Sequence, residues 1–211
     1  MPHYTISTTA TVAAVVSLVV ISPVAAQVTY RATFSAGRAF MVDSDDPDPS
    51  GSYSFTAILE RRWDTGISLG IEGGLHEYLS LHQDLPPDIT GFSSKFEDTR
   101  KAWRITPFIR WGTSGSVARV YGQIGMGLYV KEVSMLNQQR QGGVLVVDQQ
   151  SAMTDVGAGI NLGLGLELFP LTVPVGLTFG LRGHKVGGGA DWFNTGELGI
   201  VYHWGGGGTA H

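Results

Sequence analysis

The chain has 211 residues, 43% hydrophobic and only 15% charged, with a net charge of −4 and a mean hydropathy of +0.08. That length fits one domain, the apolar content excludes a disordered tail, and there is no basic stripe of Lys and Arg to grip nucleic acid. No apolar run reaches the roughly 18 residues of a spanning helix, so residence in a membrane requires strands.

The absence of cysteine excludes disulfides, thiolate metal sites and a lipidated N-terminal cysteine, and is compatible with folding outside the cytoplasm. Ala10 to Ile21 form an apolar core of signal-peptide length, followed by Ser22-Pro23 and the small-residue site Val24-Ala25-Ala26. Residues 1–26 are therefore expected to be a cleavable signal peptide that leaves Gln27 first, although residues 1–9 carry no Lys or Arg. A short N-terminal anchor is the competing reading, disfavoured because the stretch is well short of about 20 residues.

From Val28 the sequence alternates with a period of two residues. Val28, Tyr30, Ala32, Phe34 and Ala36 share one face, and Thr29, Arg31, Thr33, Ser35 and Gly37 the other. The acidic, proline-containing segment 43–51 ends this strand. A second follows with Tyr53, Phe55, Ala57 and Leu59 opposed to Ser54, Thr56, Ile58 and Glu60, and Asp64-Thr65-Gly66 turns it into a third from Ile67 to His76. A long polar stretch from about His82 to Arg100 precedes a fourth strand to Trp111, in which Pro107 cannot donate to the ladder and predicts a bulge or a missing bond.

A fifth strand opposes Val120, Ile124, Met126, Leu128 and Val130 to Arg119, Tyr121, Gln123, Gly125, Gly127 and Tyr129. After a third long loop, Ser134 to Ser151, the sixth opposes Val156 through Leu168 to Asp155 through Glu167. Within that loop Gly142 to Asp148 are an alternative extension of strands five and six. Pro170 to Pro174 turns the chain into a seventh strand, Val175 to Arg182, and after Gly187 to Asn194 the last runs from Thr195 to Trp204. The fold expected is all-β, an eight-stranded antiparallel up-and-down transmembrane β-barrel over 27–204, with a Gly-rich tail at 205–211. Long and short connections alternate, as in outer-membrane barrels.

A soluble ligand-binding barrel would turn the same apolar face inward. Volume favours the opposite, because an eight-stranded interior is just filled by side chains and the Gly-rich face fits it better. Tyr30, Trp63, Trp111 and Trp204 then fall near the short-turn rim and Phe40, Tyr53 and Trp103 near the other, as two aromatic girdles. Arg38 falls at lipid-facing parity near that second rim, unless a bulge at Gly37 turns it inward.

At the C-terminal end Glu197-Leu-Gly199-Ile-Val-Tyr202-His-Trp204 resembles the assembly signal of outer-membrane barrels. With Val120 to Tyr129 it makes the mature chain resemble the eight-stranded outer-membrane barrel families typified by OmpA, OmpX and OmpW. The tail from Gly205 to His211 departs from that pattern, since members usually stop at the terminal aromatic residue. The resemblance implies location in a bacterial outer membrane, lipid and lipopolysaccharide as surroundings, the barrel-assembly machinery as a partner during biogenesis, and a monomer.

The inward parity collects Arg31, Arg62, Arg104, Arg110, Arg119, Lys131 and Arg182 with Glu60, Glu72, Asp155, Glu167 and Glu197. Charges in so narrow a bore must be paired and hydrogen-bonded, which predicts an ionic plug; a water-filled selective path is the alternative. Asp43, Asp45, Asp46 and Asp48 read as a solvated loop rather than a cation site, and His76, His184 and His203 as lumen hydrogen-bonding residues without metal-ligand spacing. No nucleophile elbow appears, and no His and Ser pair at lipid-facing parity of the kind that outer-membrane lipid A deacylases need. No cofactor, metal or catalytic residue is expected. The function expected is that of a non-enzymatic barrel with a structural or surface-interaction role through its long loops. A narrow channel for small or apolar solutes, or a soluble ligand-binding barrel, is the alternative.

Overall fold

The computed structural model describes residues 28–41, 52–113, 115, 117–170, 173–187 and 192–205. The expected signal peptide, the acidic segment 43–51 and the tail beyond Gly205 lie outside the described residues. Eight antiparallel strands close into one ring: β1 (Thr29–Met41), β2 (Tyr53–Arg62), β3 (Ile67–Leu85), β4 (Phe92–Gly112), β5 (Ala118–Gln141), β6 (Val144–Leu168), β7 (Val175–Val186) and β8 (Trp192–Gly205). Each pairs with its sequence neighbours, and β1 with β8, so the barrel body has no open edge.

Side chains alternate between two environments along each strand. Phe34, Leu59, Ile105, Leu164, Leu181 and Ile200 are each more than half exposed on the outer wall, whereas Arg31, Glu72, Asn161 and Glu167 are buried inside. An apolar exterior around a polar interior is the arrangement of a transmembrane β-barrel, in which hydrocarbon covers the outer face. The soluble alternative requires the reverse.

Strands β3 to β6 run past the ring. Pairing of β2 with β3 stops at Tyr53 and Glu77, and pairing of β6 with β7 stops at Gly159 and Val186. Beyond those points β3, β4, β5 and β6 continue as a four-stranded sheet at the end of the barrel opposite the short turns. Apart from the turns at 86–91 and 142–143, the stretches His82 to Arg100 and Ser134 to Ser151 are thus strand, not the long loops that their polarity suggests, and the Gly142 to Asp148 segment extends β5 and β6. Along this extension Gln83, Lys95, Gln138 and Asp148 break the apolar alternation that marks a membrane strand, yet backbone pairing persists. Gly142 and Gly143 close its long hairpin with φ of 57° and 82°, a turn conformation open to glycine.

Three local features position the interior. A bulge between Glu77 and Leu79 brings Tyr78 and Leu79 both to the inner side. At Pro107 the ladder to β5 lacks its partners at Thr106 and Pro107 but keeps register on either side, a locally missing bond. Pairing of β1 with β8 is regular through Gly37, so Arg38 points outward and no bulge turns it in. A Cβ on Gly37 would lie 1.8 Å from the Gly196 carbonyl oxygen, so only glycine allows this close approach.

Candidate functional site in the barrel lumen

At the short-turn mouth lies Phe169, which follows β6 and is buried. Its N–H donates to the Val117 carbonyl at 2.7 Å, and its ring stacks on His203 at 5.1 Å. The guanidinium groups of Arg119 and Arg31 lie 4.8 and 5.6 Å from the same ring. Arg62 Nη2 donates to the Thr113 carbonyl at 2.8 Å and Arg119 Nε to the Gly115 carbonyl at 2.7 Å. These two cations therefore line the mouth and bond to turn carbonyls.

Above them a closed ring of four ion pairs crosses the bore. Arg31 meets Glu60 at 2.7 Å and also Glu167, and Arg110 meets Glu60 at 3.1 Å and Glu167 at 3.2 Å. The Arg110 guanidinium lies 4.1 Å from the centre of the Tyr121 ring. All four charged residues are buried. Each carboxylate thus faces two guanidiniums and each guanidinium two carboxylates, so each charge of the ring has partners of opposite sign.

Gln123 joins this ring to a second network. Its Oε1 accepts from Arg110 Nη2 at 2.8 Å, and its Nε2 donates to Glu72 Oε2 at 2.9 Å. Glu72 also pairs with Arg104, accepts from Asn161 Nδ2 at 2.7 Å and lies 3.8 Å from Arg182 Nε. Arg182 then reaches Glu197 at 2.5 Å. Ser35, Ser54 and Thr56 donate to the Glu197 carboxylate at 2.6, 2.5 and 2.7 Å, which fills both its oxygens. The interior thus balances four arginines, Arg31, Arg104, Arg110 and Arg182, against four glutamates, Glu60, Glu72, Glu167 and Glu197.

An apolar cap lies above the charges, and sequence reasoning missed it. Tyr78 stacks on Phe193 at 4.7 Å, and Phe193 on His184 at 4.5 Å. Ala39, Leu79, Ala102, Tyr129 and Val186 complete the buried cluster. Phe193 escaped notice because β8 starts at Trp192 rather than Thr195; carrying the parity of Thr195 and Glu197 back two residues would have found it. His76 and His184 sit at the junction of cap and network, their rings 5.2 Å apart.

The remaining residues lie at the rims. Lys131 pairs with Asp155 at 3.3 Å at the mouth away from the short turns, separate from the eight central charges. Tyr30 stacks on Trp204 at 6.1 Å and Tyr202 on Trp204 at 5.7 Å, all on the outer wall at the short-turn end. Trp103, Trp111 and Phe40 are exposed on that wall, and Tyr53 and Trp63 are half-buried. Trp192, absent from the expected girdle, is exposed beneath Lys185 Nζ at 5.1 Å. Within the assembly-signal stretch Glu197 and Gly199 face inward and Tyr202 and Trp204 outward.

The lumen does bring a serine, a histidine and a carboxylate together. Ser54 Oγ lies 2.8 Å from His76 Nδ1 and 2.5 Å from Glu197, and Arg104 Nε lies 2.7 Å from His76 Nε2. Arginine can only donate, so His76 Nε2 accepts and the ring proton resides on Nδ1, which donates to Ser54. A general base needs a free nitrogen facing its serine, and its carboxylate must hold the histidine rather than the serine. The order here is the reverse, and all three residues are buried. Among the described residues no group of three or more His, Asp or Glu side chains is placed to hold a metal ion.

No protein-family model matches the chain, and no curated protein matches it. Solved structures of similar shape include the attachment invasion locus protein Ail of Yersinia pestis, at 13% identity and a TM-score of 0.46 over 85% of this chain and 99% of that one. Neisserial surface protein A matches at 14% identity and a TM-score of 0.47 over 83% and 96%. The N-terminal β-barrel domain of Pseudomonas aeruginosa OprF matches at 14% and 0.45 over 85% and 99%. The closed ring, its apolar exterior and its polar interior carry the assignment on their own: the chain has the architecture of a small outer-membrane β-barrel.

Proposed function

We propose that the chain is a sealed, non-enzymatic barrel of the bacterial outer membrane whose body anchors an extracellular sheet, with a structural or surface-interaction role. One observation supports this reading above the others. The bore is occupied along its length by Phe169, the Arg31–Glu60–Arg110–Glu167 ring, the Glu72 and Glu197 network and the Phe193 cap. Buried ion pairs contribute little net stability; on this reading they fix register and close the bore to water.

On this reading the rim aromatics are interfacial girdles, lipid and lipopolysaccharide surround the outer wall, and Glu197, Gly199, Tyr202 and Trp204 are read by the assembly machinery as one chain folds into each barrel. The test is to express the full chain in a bacterium with an outer membrane, fractionate, and compare unheated and boiled samples on a gel. An outer-membrane band that shifts on boiling is the expected result. A soluble product with no heat shift would contradict it.

A further inference from the structure

The two hairpin tips of the outer sheet differ in composition from the strands that carry them. Phe92 lies about 35 Å along β4 from Trp103 on the outer wall. The turn after β3 and the turn after β5 stand side by side at that end: Phe92 pairs with Gln141, and the Gly142 N–H donates to the Gly91 carbonyl at 2.9 Å. Ile89 is fully exposed, Val144 is 70% exposed, and Leu85 and Val146 are each more than half exposed. Residues 85–94 carry one charged side chain, Asp88, and residues 141–147 carry none. Charge returns immediately behind the tips, with Asp84 opposite Lys95 across β3 and β4, Arg140 on β5 and Asp148 on β6.

The backbone of the tips supplies its own hydrogen bonds. Pro86 and Pro87 have no N–H to satisfy. The Asp88 N–H donates to the Phe92 carbonyl and the Gly91 N–H to the Asp88 carbonyl, both at 2.9 Å, while the Thr90 and Phe92 N–H groups donate to Asp88 Oδ1 at 2.8 and 2.9 Å. The Thr90 hydroxyl donates to the same oxygen at 2.6 Å. A protein partner would be recognised through donors left open, and at this turn they are used internally. A fluid bilayer asks for no particular shape, but it takes up apolar side chains only on backbone whose polar groups are already bonded. The tips meet that condition.

We propose that the paired tips insert into a second phospholipid bilayer that faces the outer membrane, with Ile89, Val144 and Val146 entering the acyl boundary and Asp84, Lys95, Arg140 and Asp148 stopping at the headgroups. Asp88 sets the depth, since its carboxylate stays at headgroup level and insertion is therefore shallow. The charges behind the tips are two carboxylates and two cations, so they favour neither sign of lipid and suit a zwitterionic surface such as phosphatidylcholine. About 35 Å of strand separates the tips from Trp103, so the bilayer they meet belongs to another cell or vesicle. The proposal rests on the surface-display reading above and names its partner as lipid.

The chain has no cysteine, so one introduced thiol carries a dye without background. The full chain with V144C, labelled with an environment-sensitive fluorophore and folded in nanodiscs, is mixed with vesicles of pure phosphatidylcholine. Its emission is expected to rise roughly threefold and to be quenched by nitroxide-labelled lipid. The same dye at Q150C, about 20 Å back along β6, is expected not to respond. Adding Ile89→Glu is expected to weaken vesicle binding by roughly tenfold, whereas Ile89→Leu keeps it. No response at V144C, an equal response at Q150C, or binding indifferent to Ile89→Glu would overturn the proposal, as would binding confined to vesicles that carry cell-surface protein. Labelling of V144C on intact cells by an impermeant maleimide reads surface display, and the gel shift on boiling reads the barrel. A protein that passes both and ignores the vesicles counts against lipid insertion alone.

Discussion

Arg104 donates its Nε proton to His76 Nε2 at 2.7 Å while it pairs with Glu72, so one side chain fixes a histidine tautomer and neutralises a buried carboxylate. The relay continues from His76 to Ser54 and from Ser54 to Glu197. Substitution of Arg104 by Met removes the first donor and leaves Glu72 short of a charge partner. Loss of one member of a buried pair costs about 3–5 kcal/mol. Arg104→Met is expected to lower the denaturant midpoint of the detergent-folded barrel accordingly, and the double variant with Glu72→Gln to recover much of the loss. If the double variant is no more stable than the single one, Glu72 is not held mainly by Arg104.

The cap predicts a different signature. Phe193 packs between Tyr78 and His184 at the end of the lumen, above complete ionic layers. Phe193→Ala removes a buried aromatic ring and is expected to destabilise by about 3 kcal/mol or more. Its bore stays closed, since the Glu60 and Glu72 networks below are untouched. Thermal unfolding followed by gel mobility, with conductance recorded on the same protein, separates the two effects.

Pro107 interrupts the β4–β5 ladder with register kept on both sides. Pro107→Val restores an N–H where a partner strand already lies, and one added backbone bond contributes about 1 kcal/mol. Amide exchange on β5 around Met126 and Gly127 is expected to slow in the variant. Unchanged exchange there would show that the gap is held by something other than the missing donor.

The outer sheet carries an acid-sensitive turn. In the turn between β3 and β4 the Asp88 carboxylate accepts from the Thr90 hydroxyl at 2.6 Å and from the Phe92 and Thr90 N–H groups at 2.9 and 2.8 Å. These bonds, the Thr90 hydroxyl first, hold its pKa below the ordinary aspartate value. A depressed folded pKa contributes order that is fully present above the unfolded value of about 3.9 and is lost as pH falls through the lower, folded value. The turn is expected to stay ordered at neutral pH and to loosen only in strong acid, while Asp88→Ala loosens it at every pH. Limited proteolysis at residues 86–91 reads this, and a neutral-pH cleavage rate unchanged in Asp88→Ala would contradict it.

What the sequence reveals depends on whether hydrocarbon is present. Where β6 crosses the membrane, Leu162, Leu164 and Leu166 alternate with Asn161, Gly163 and Gly165, and the strand and both faces can be read directly. Past the membrane Gln83, Asp84, Lys95 and Glu97 meet water on a sheet with no apolar requirement, and β3 and β4 look like loop. The charged set is legible by parity, since Arg31, Glu72 and Glu197 lie opposite lipid-facing neighbours. Its partition is not: Arg62 and Arg119 share that parity yet bond to turn carbonyls at the mouth. Phe169 carries no strand pattern, because it lies just past the end of β6.

The most direct test of the sealed barrel is single-channel recording in a planar bilayer, with protein whose folding is first verified by its heat-dependent gel shift. The account predicts a bilayer that stays at baseline conductance through repeated insertions, because paired charges and apolar caps occupy the bore. Steady, reproducible conductance steps from the same preparation would contradict it and establish a water-filled path.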